Sequence, residues 1–370
     1  MQVPFFDWSR LYTERSDKFR EIMHETCMRG GFILQKDVVK FEENLRTFLG
    51  VKHAVALSDA TNAILLGLRA SGIRPGDEVI LPSHGFVAAA QSIHHAGGVP
   101  ILVEIGEDWM VDPAAMEKAI TERTRFLMPV QVNGRTCDMD QIQAIAHRHN
   151  LIVIEDSAQA LGAKYKGRPT GTIGQWGCYS FYPSKTLGCF GDGGALVTND
   201  DEIARRVKLM RNHGANEDKV IEPDIAVWGT NSRLDNIHAA ILNYKLGYYA
   251  ETLDRRREIA KRYHDAFADL EEISRPPGPD SDSDRVDVFQ NYELEADRRD
   301  ELRSHLRATG IGTIVQWGGL GMHQMRGLGF SQELKRTDRF FERSLLLPMN
   351  HMLTDAEVNY IIDQVRQFYR

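Results

Sequence analysis

Residues 151–199 constrain the fold more than any other part of the chain. They read LIVIEDSAQALGAKYKGRPTGTIGQWGCYSFYPSKTLGCFGDGGALVTN. An apolar run, Leu151 to Ile154, stops at Glu155-Asp156. A second, Trp176 to Tyr182, stops at Pro183-Ser184-Lys185. A third, Ala195 to Thr198, follows a glycine-rich turn from Gly188 to Gly194. Short apolar runs bounded by turn residues suit buried strands. Open α/β sheets carry their chemistry beyond the carboxyl ends of the strands. Here one strand end carries a carboxylate and the next is followed by a lysine.

An acid and an amine at neighbouring strand ends point to pyridoxal 5'-phosphate (PLP). That cofactor needs a lysine to condense with its aldehyde, and an acid beside the pyridine nitrogen to keep the ring an electron sink. Lys185 takes the first role and Asp156 the second. Taken alone, each residue has a plainer reading, a solvated lysine and a helix-capping carboxylate. The neighbouring sequence shifts the balance. Ser180 precedes the lysine and can donate to a phosphate, and Gly188, Gly191, Gly193 and Gly194 allow tight backbone turns near a ligand.

The segment SFYPSKTLGCFGDGG, with EDSAQALGA upstream and GTNSRLD downstream, resembles the PLP-dependent sugar aminotransferases of the DegT–StrS family. The resemblance runs from VPFFDWSRLY near the start to LLLPM near the end. It implies an α/β, aspartate-aminotransferase-like architecture (PLP fold type I). It also implies a set of site residues. Ala60 and Thr61, in the turn Ser58–Asn62, match a phosphate-cradling turn, although relatives often have glycine where Ala60 stands. Phe86 would stack on the pyridoxal ring, and Gln159 would contact its 3-hydroxyl region unless it merely caps a following helix. Asn231 would reach the cofactor phosphate of a neighbouring subunit, with Arg233 nearby, making the catalytic unit a homodimer with shared active sites. Gln316 and Trp317 stand where relatives often carry His-Tyr near the sugar nucleotide. His323 keeps a family histidine position and faces either the substrate or the interior.

The implied reaction moves an amino group from L-glutamate to a nucleotide-linked keto sugar, with Lys185 as the catalytic base. FYPSKTLGCFGDGG resembles members acting on 3-keto sugars, whereas 4-keto members more often carry Glu in place of Asp192. Two alternatives stand beside this: a PLP aminotransferase acting on a cyclitol or other ring ketone without a nucleotide, and a non-catalytic sensing protein on the same fold. Lys185, Asp156 and Ser180 together argue against the second. Lys185 also excludes the dehydratase relatives, in which histidine replaces the lysine.

Composition narrows the partners. The 370 residues carry a formal charge of −7, which disfavours nucleic acid or anionic membrane as a partner. Cys27, Cys137, Cys178 and Cys189 form no CxxC and no zinc-spaced Cys/His cluster, so they read as reduced thiols, and no metal is expected. With no apolar span or signal-peptide core, the expected location is the cytoplasm.

The rest of the chain alternates strands and helices. Helices are expected over 16–29, with Ser16 as cap, and over 35–49, then after Ser58–Asn62 to Gly72, over 139–149 and over 202–212. Strands are expected at 53–57, 79–81, 99–105 and 125–130. Together with the central runs they imply a mostly parallel sheet of about seven strands, covered on both faces. A long helical segment from Arg233 to about Leu270 leads to an exposed acidic linker, 275–284. Strands at 288–294 and 313–317 and helices at 301–308 and 354–369 complete a smaller C-terminal α/β domain, 251–370, beside a PLP-binding domain of 1–250.

Overall fold

Strands form where the apolar runs require them. In the computed structural model, which describes residues 1–216 and 224–370, strands lie in the order Val99–Val103, Glu78–Pro82, Thr124–Leu127 and Ile152–Val153, all parallel. A second set lies in the order Glu155–Asp156, Trp176–Ser180, Gly194–Thr198 and His53–Leu57. The two sets meet in the 152–156 segment, where Val130 bridges to Asp156. The 194–198 strand departs from the parallel order, running antiparallel to both neighbours. The connection 181–193 contains no helix and returns directly, which sets neighbouring strands antiparallel.

Alternation along these strands fills both faces of the sheet. Trp176 and Leu196 join Leu57, Ile64 and Leu81 in one apolar cluster. Tyr179 and Val197 join Phe41, Leu45 and Phe181 in another. Side chains at successive strand positions point to opposite faces, so a run buried on both sides reads as continuously apolar. Helix Ala60–Ala70 packs over the 176–180 and 194–198 strands.

Beyond residue 250 a smaller antiparallel sheet orders Ile273–Ser274, Tyr292–Ala296 and Ser344–Leu347. Tyr263, Leu294, Leu306, Leu345 and Ile361 form its core. Val3, at the other end of the chain, joins this core and bridges to Ile311.

Several sequence expectations need correction. Ser16 is the first residue of helix Ser16–Met28, and Arg15 occupies the cap position without a side-chain bond. The long segment after Arg233 is two helices, Asn236–Leu246 and Tyr249–Ala266, broken at 247–248. The 275–284 stretch is only partly exposed: Pro276 and Pro279 are buried, and Gly278 lies against the His264 ring. The strand expected over 288–294 begins only at Tyr292, because Phe289 adopts φ 50° and turns the chain. Residues 313–317 form no strand beyond a bridge from Ile314 to Leu346. Trp317 and Gly318 are left-handed, with φ of 49° and 74°. Helices Ala88–His95 and Lys335–Arg343 and the Ser344–Leu347 strand were not foreseen.

Candidate active site

The carboxyl ends of four strands converge. Leu57 pairs with Gly194, Gly194 with Ser180, and Cys178 with Asp156. The turns after 53–57, 78–82, 155–156 and 176–180 therefore open on one side. Between them lies a cavity of about 540 Å³, lined by Ala60, Thr61, Phe86, Asp156, Gln159, Ser180 and Lys185 among others.

Strand alternation separates the two adjacent acids. The buried Glu155 carboxylate accepts N–H groups from Gly171, Ile173 and Gly174 and the Gln131 amide, tying down the 171–174 loop. Asp156 lines the cleft instead. Its Oδ1 accepts the Ala158 N–H at 3.1 Å and the Cys178 thiol at 3.6 Å. Burial pushes its carboxyl upward, opposed by the Ala158 N–H and by the charge of Lys185.

Lys185 sits in a turn closed by its own N–H to the Tyr182 carbonyl at 2.8 Å. Gln290 clamps that turn from both sides: its Oε1 accepts the Thr186 N–H at 2.8 Å, and its Nε2 donates to the Ser184 carbonyl at 2.7 Å. The hydroxyls of Thr186 and Tyr249 meet at 2.6 Å, and Lys245 Nζ donates to the Gly188 carbonyl at 2.6 Å. Burial lowers the Lys185 amine to about 8, against the attraction of Asp156. An amine shifted this far toward neutrality is partly unprotonated near physiological pH and can act as a base.

The opposite end of the cleft suits an anion. Asp59 caps helix Ala60–Ala70 by accepting the Asn62 N–H at 2.7 Å. The N–H groups of Ala60 and Thr61 make no hydrogen bond to described residues, and the helix dipole favours negative charge there. Ser180 Oγ accepts the Tyr182 N–H at 3.3 Å and leaves its own proton for a ligand. The glycines act here by close approach. A Cβ at Gly194 would lie 2.3 Å from Asp59, and one at Gly188 2.6 Å from the Tyr182 carbonyl; neither has positive φ. An amine, a buried acid and an anion cradle in one cleft fit PLP: Lys185 could meet the aldehyde, Asp156 the ring nitrogen, and Ala60, Thr61 and Ser180 the phosphate.

The remaining expected residues divide. Phe86 stands half-exposed at the cleft, and Gln316 and Trp317 also line it. Gln159 lines it with its Oε1 held by the Asn133 N–H at 2.6 Å, and no helix follows it. His323 is not brought to the cleft. It is buried, with Nδ1 at 2.7 Å from Ser83 Oγ and Nε2 at 2.8 Å from Asp338 Oδ1. Asn231 and Arg233 do not line the cleft; Asn231 is exposed and Arg233 Nη1 donates to Asn212 at 2.9 Å. His84, beside Phe86 in sequence, is buried against Glu293 and the Trp109 carbonyl. Sequence reasoning missed Gln290, Asn291, Phe5 and Phe6, all of which line the cavity. Among the described residues, no helix is long and apolar enough to cross a membrane, and no Cys, His, Asp and Glu group could hold a metal ion.

Comparison with known proteins shows the family. The DegT/DnrJ/EryC1/StrS aminotransferase family model matches residues 14–366. A dTDP-3-amino-3,4,6-trideoxy-alpha-D-glucose transaminase of Streptomyces venezuelae is 37% identical, covering 99% of this chain and 96% of its own. A UDP-2-acetamido-2-deoxy-3-oxo-D-glucuronate aminotransferase of Pseudomonas aeruginosa is 33% identical, covering 97% and 98%. Among solved structures, DesV of S. venezuelae matches with a TM-score of 0.94 at 37% identity, over 100% of this chain and 99% of that one. NtdA of Bacillus subtilis, with the cofactor PMP bound, matches with a TM-score of 0.91 at 29% identity, over 99% and 85%. This chain belongs to the DegT/DnrJ/EryC1/StrS aminotransferase family and is a PLP-dependent sugar aminotransferase.

Proposed function

We propose that the protein transfers the amino group of L-glutamate to a nucleotide-linked keto sugar, at carbon 3 rather than carbon 4. The observation that carries this reading is the pairing of Lys185 with Asp156 in one cleft that also offers the Ala60 and Thr61 N–H groups. Bound PLP supplies the electron sink for breaking a bond at the amino-bearing carbon. The chain does the rest. Asp156 would hold a proton at the ring nitrogen. Lys185 Nζ, held toward its neutral form by burial, would be the base that takes the proton from the donor's amino-bearing carbon, and the acid that returns one to the sugar carbon receiving the amino group. Ser180 and the 60–61 amides would bind the phosphate, and Phe86 would cover the ring.

Two features support carbon 3. FYPSKTLGCFGDGG, with Asp192, is the motif similar to 3-keto members. The two relatives above are named for 3-amino and 3-oxo sugars. A homodimer with shared sites is part of the same reading. Asn231 and Arg233 serve no cleft in their own protomer, and Trp228 beside them is 95% exposed, an apolar surface suited to cover by a second copy.

The test is incubation of the purified enzyme with amino-15N-glutamate and a panel of 3-keto and 4-keto nucleotide sugars, followed by mass spectrometry. Label entering a 3-keto sugar nucleotide supports the proposal. Label entering only 4-keto sugars reverses the regiochemistry. Label entering only a nucleotide-free ring ketone favours the cyclitol reading.

A further inference from the structure

A second, smaller cavity lies behind the turn that carries Lys185. It measures about 40 Å³, enough for a small ion with a water, since a single water needs about 10–15 Å³. Lys245 and Arg256 both line it and are 6% and 3% exposed. They come from the two successive helices Asn236–Leu246 and Tyr249–Ala266.

Neither cation has a carboxylate partner among the described residues. Lys245 Nζ donates to the Gly188 carbonyl alone, and lies 4.8 Å and 5.6 Å from the ring centroids of Phe190 and Phe19. Arg256 Nη1 donates to the carbonyls of Phe289, Gln290 and Met349, and its Nε is buried with no partner. Two acids, Asp7 and Glu14, also line the cavity, and neither pairs with Lys245 or Arg256. Asp7 Oδ1 accepts the Arg10 N–H and the Ser9 hydroxyl, and Glu14 is exposed. His351, also at the wall, is held down to about 3 by burial and by Arg256, Lys245, Arg15 and Arg10, and so adds a neutral donor rather than a counter-charge. Burying cations without a counter-ion is strongly unfavourable, and breaking such a pair destabilises a fold. Two of them around one cavity leave a place for a negative charge.

We propose that this cavity is a binding site for a small monovalent anion of halide size, held by Lys245 and Arg256 beneath the 184–188 turn. Ser184, Lys185 and Gly188 border the same cavity. An anion there would brace the turn from behind and favour the charged form of the Lys185 amine.

The experiment uses crystals of the holoenzyme soaked in sodium bromide, with anomalous data collected at the bromine edge. The expected result is a bromide peak in the cavity within hydrogen-bond distance of Lys245 Nζ, missing from Lys245→Gln. That variant keeps an N–H donor for the Gly188 carbonyl but removes the charge. In solution the melting midpoint of the holoenzyme should rise saturably with bromide or chloride, relative to gluconate at equal ionic strength. Bromide peaks confined to the surface, an adventitious ion only, would overturn the proposal. So would coincident halide and gluconate melting curves. Both wild-type readouts decide the matter even if Lys245→Gln fails to fold.

Discussion

The two ends of the cleft are built differently. The cofactor end stands on regular structure: Asp156 and Ser180 on paired strands, Ala60 and Thr61 at a helix N-terminus, and Lys185 in a turn clamped by Gln290, Tyr249 and Lys245. The end proposed for the sugar stands on irregular backbone. Gln316 and Trp317 belong to a short turn in which Trp317, Gly318 and Gly319 all have positive φ. The difference teaches that reaction type is held by elements the hydrophobic pattern enforces. Specificity is left to segments that can change without disturbing the sheet.

Substitutions can break that division. The largest effect belongs to Lys185→Ala, which should cut turnover by ~10³-fold or more with the fold intact by circular dichroism. Asp156→Asn should cost ~10²-fold in kcat while cofactor stays bound, because it removes one preorganised charge at the ring nitrogen. Trp317→Ala should raise KM for the sugar nucleotide by ~10-fold, and leave the half-reaction with the amino donor unchanged in stopped-flow measurements. An equal loss in both half-reactions would place Trp317 with the cofactor end.

Two smaller effects sharpen the comparison. His323 bonds Ser83 and Asp338 rather than facing the cleft, so His323→Ala should lower unfolding stability by about 2 kcal/mol and leave KM alone. Burial lowers both Lys185 and Lys245 to about 8, against an ordinary value of 10.5. Well below pH 8 both native amines are protonated and the cost of burying their charges is complete. As pH rises from 8 to 10.5, the native state releases its protons before the unfolded chain does, so stability should climb. Denaturant titrations of the cofactor-free protein across that window should show the climb, and Lys185→Met should flatten part of it.

Much of the cofactor end was legible in sequence for physical reasons. Apolar runs that end in Asp156 and Pro183-Ser184-Lys185 mark strand ends, and the parallel order brings such ends together. The glycines were legible as a cluster, but their role was not: they permit close approach rather than left-handed turns. Gln290 and Asn291 were hidden because Phe289 turns out of the strand that the alternation of 288–294 suggested. His323 shows the limit of a single histidine, since neither neighbours nor spacing distinguish a buried hydrogen-bonding ring from a ligand contact. The helix break at 247–248 lacked a proline or a run of glycines to announce it.

The central claim is that one cleft joins Lys185, Asp156 and an anion cradle around PLP. It is tested most directly by the visible absorbance of purified protein before and after L-glutamate, beside Lys185→Ala. The account predicts a yellow wild type that bleaches on adding glutamate, and a variant reconstituted with PLP that lacks both the lysine-linked band and the response. Wild-type protein that stays colourless after reconstitution, or a variant indistinguishable from it, would contradict the account.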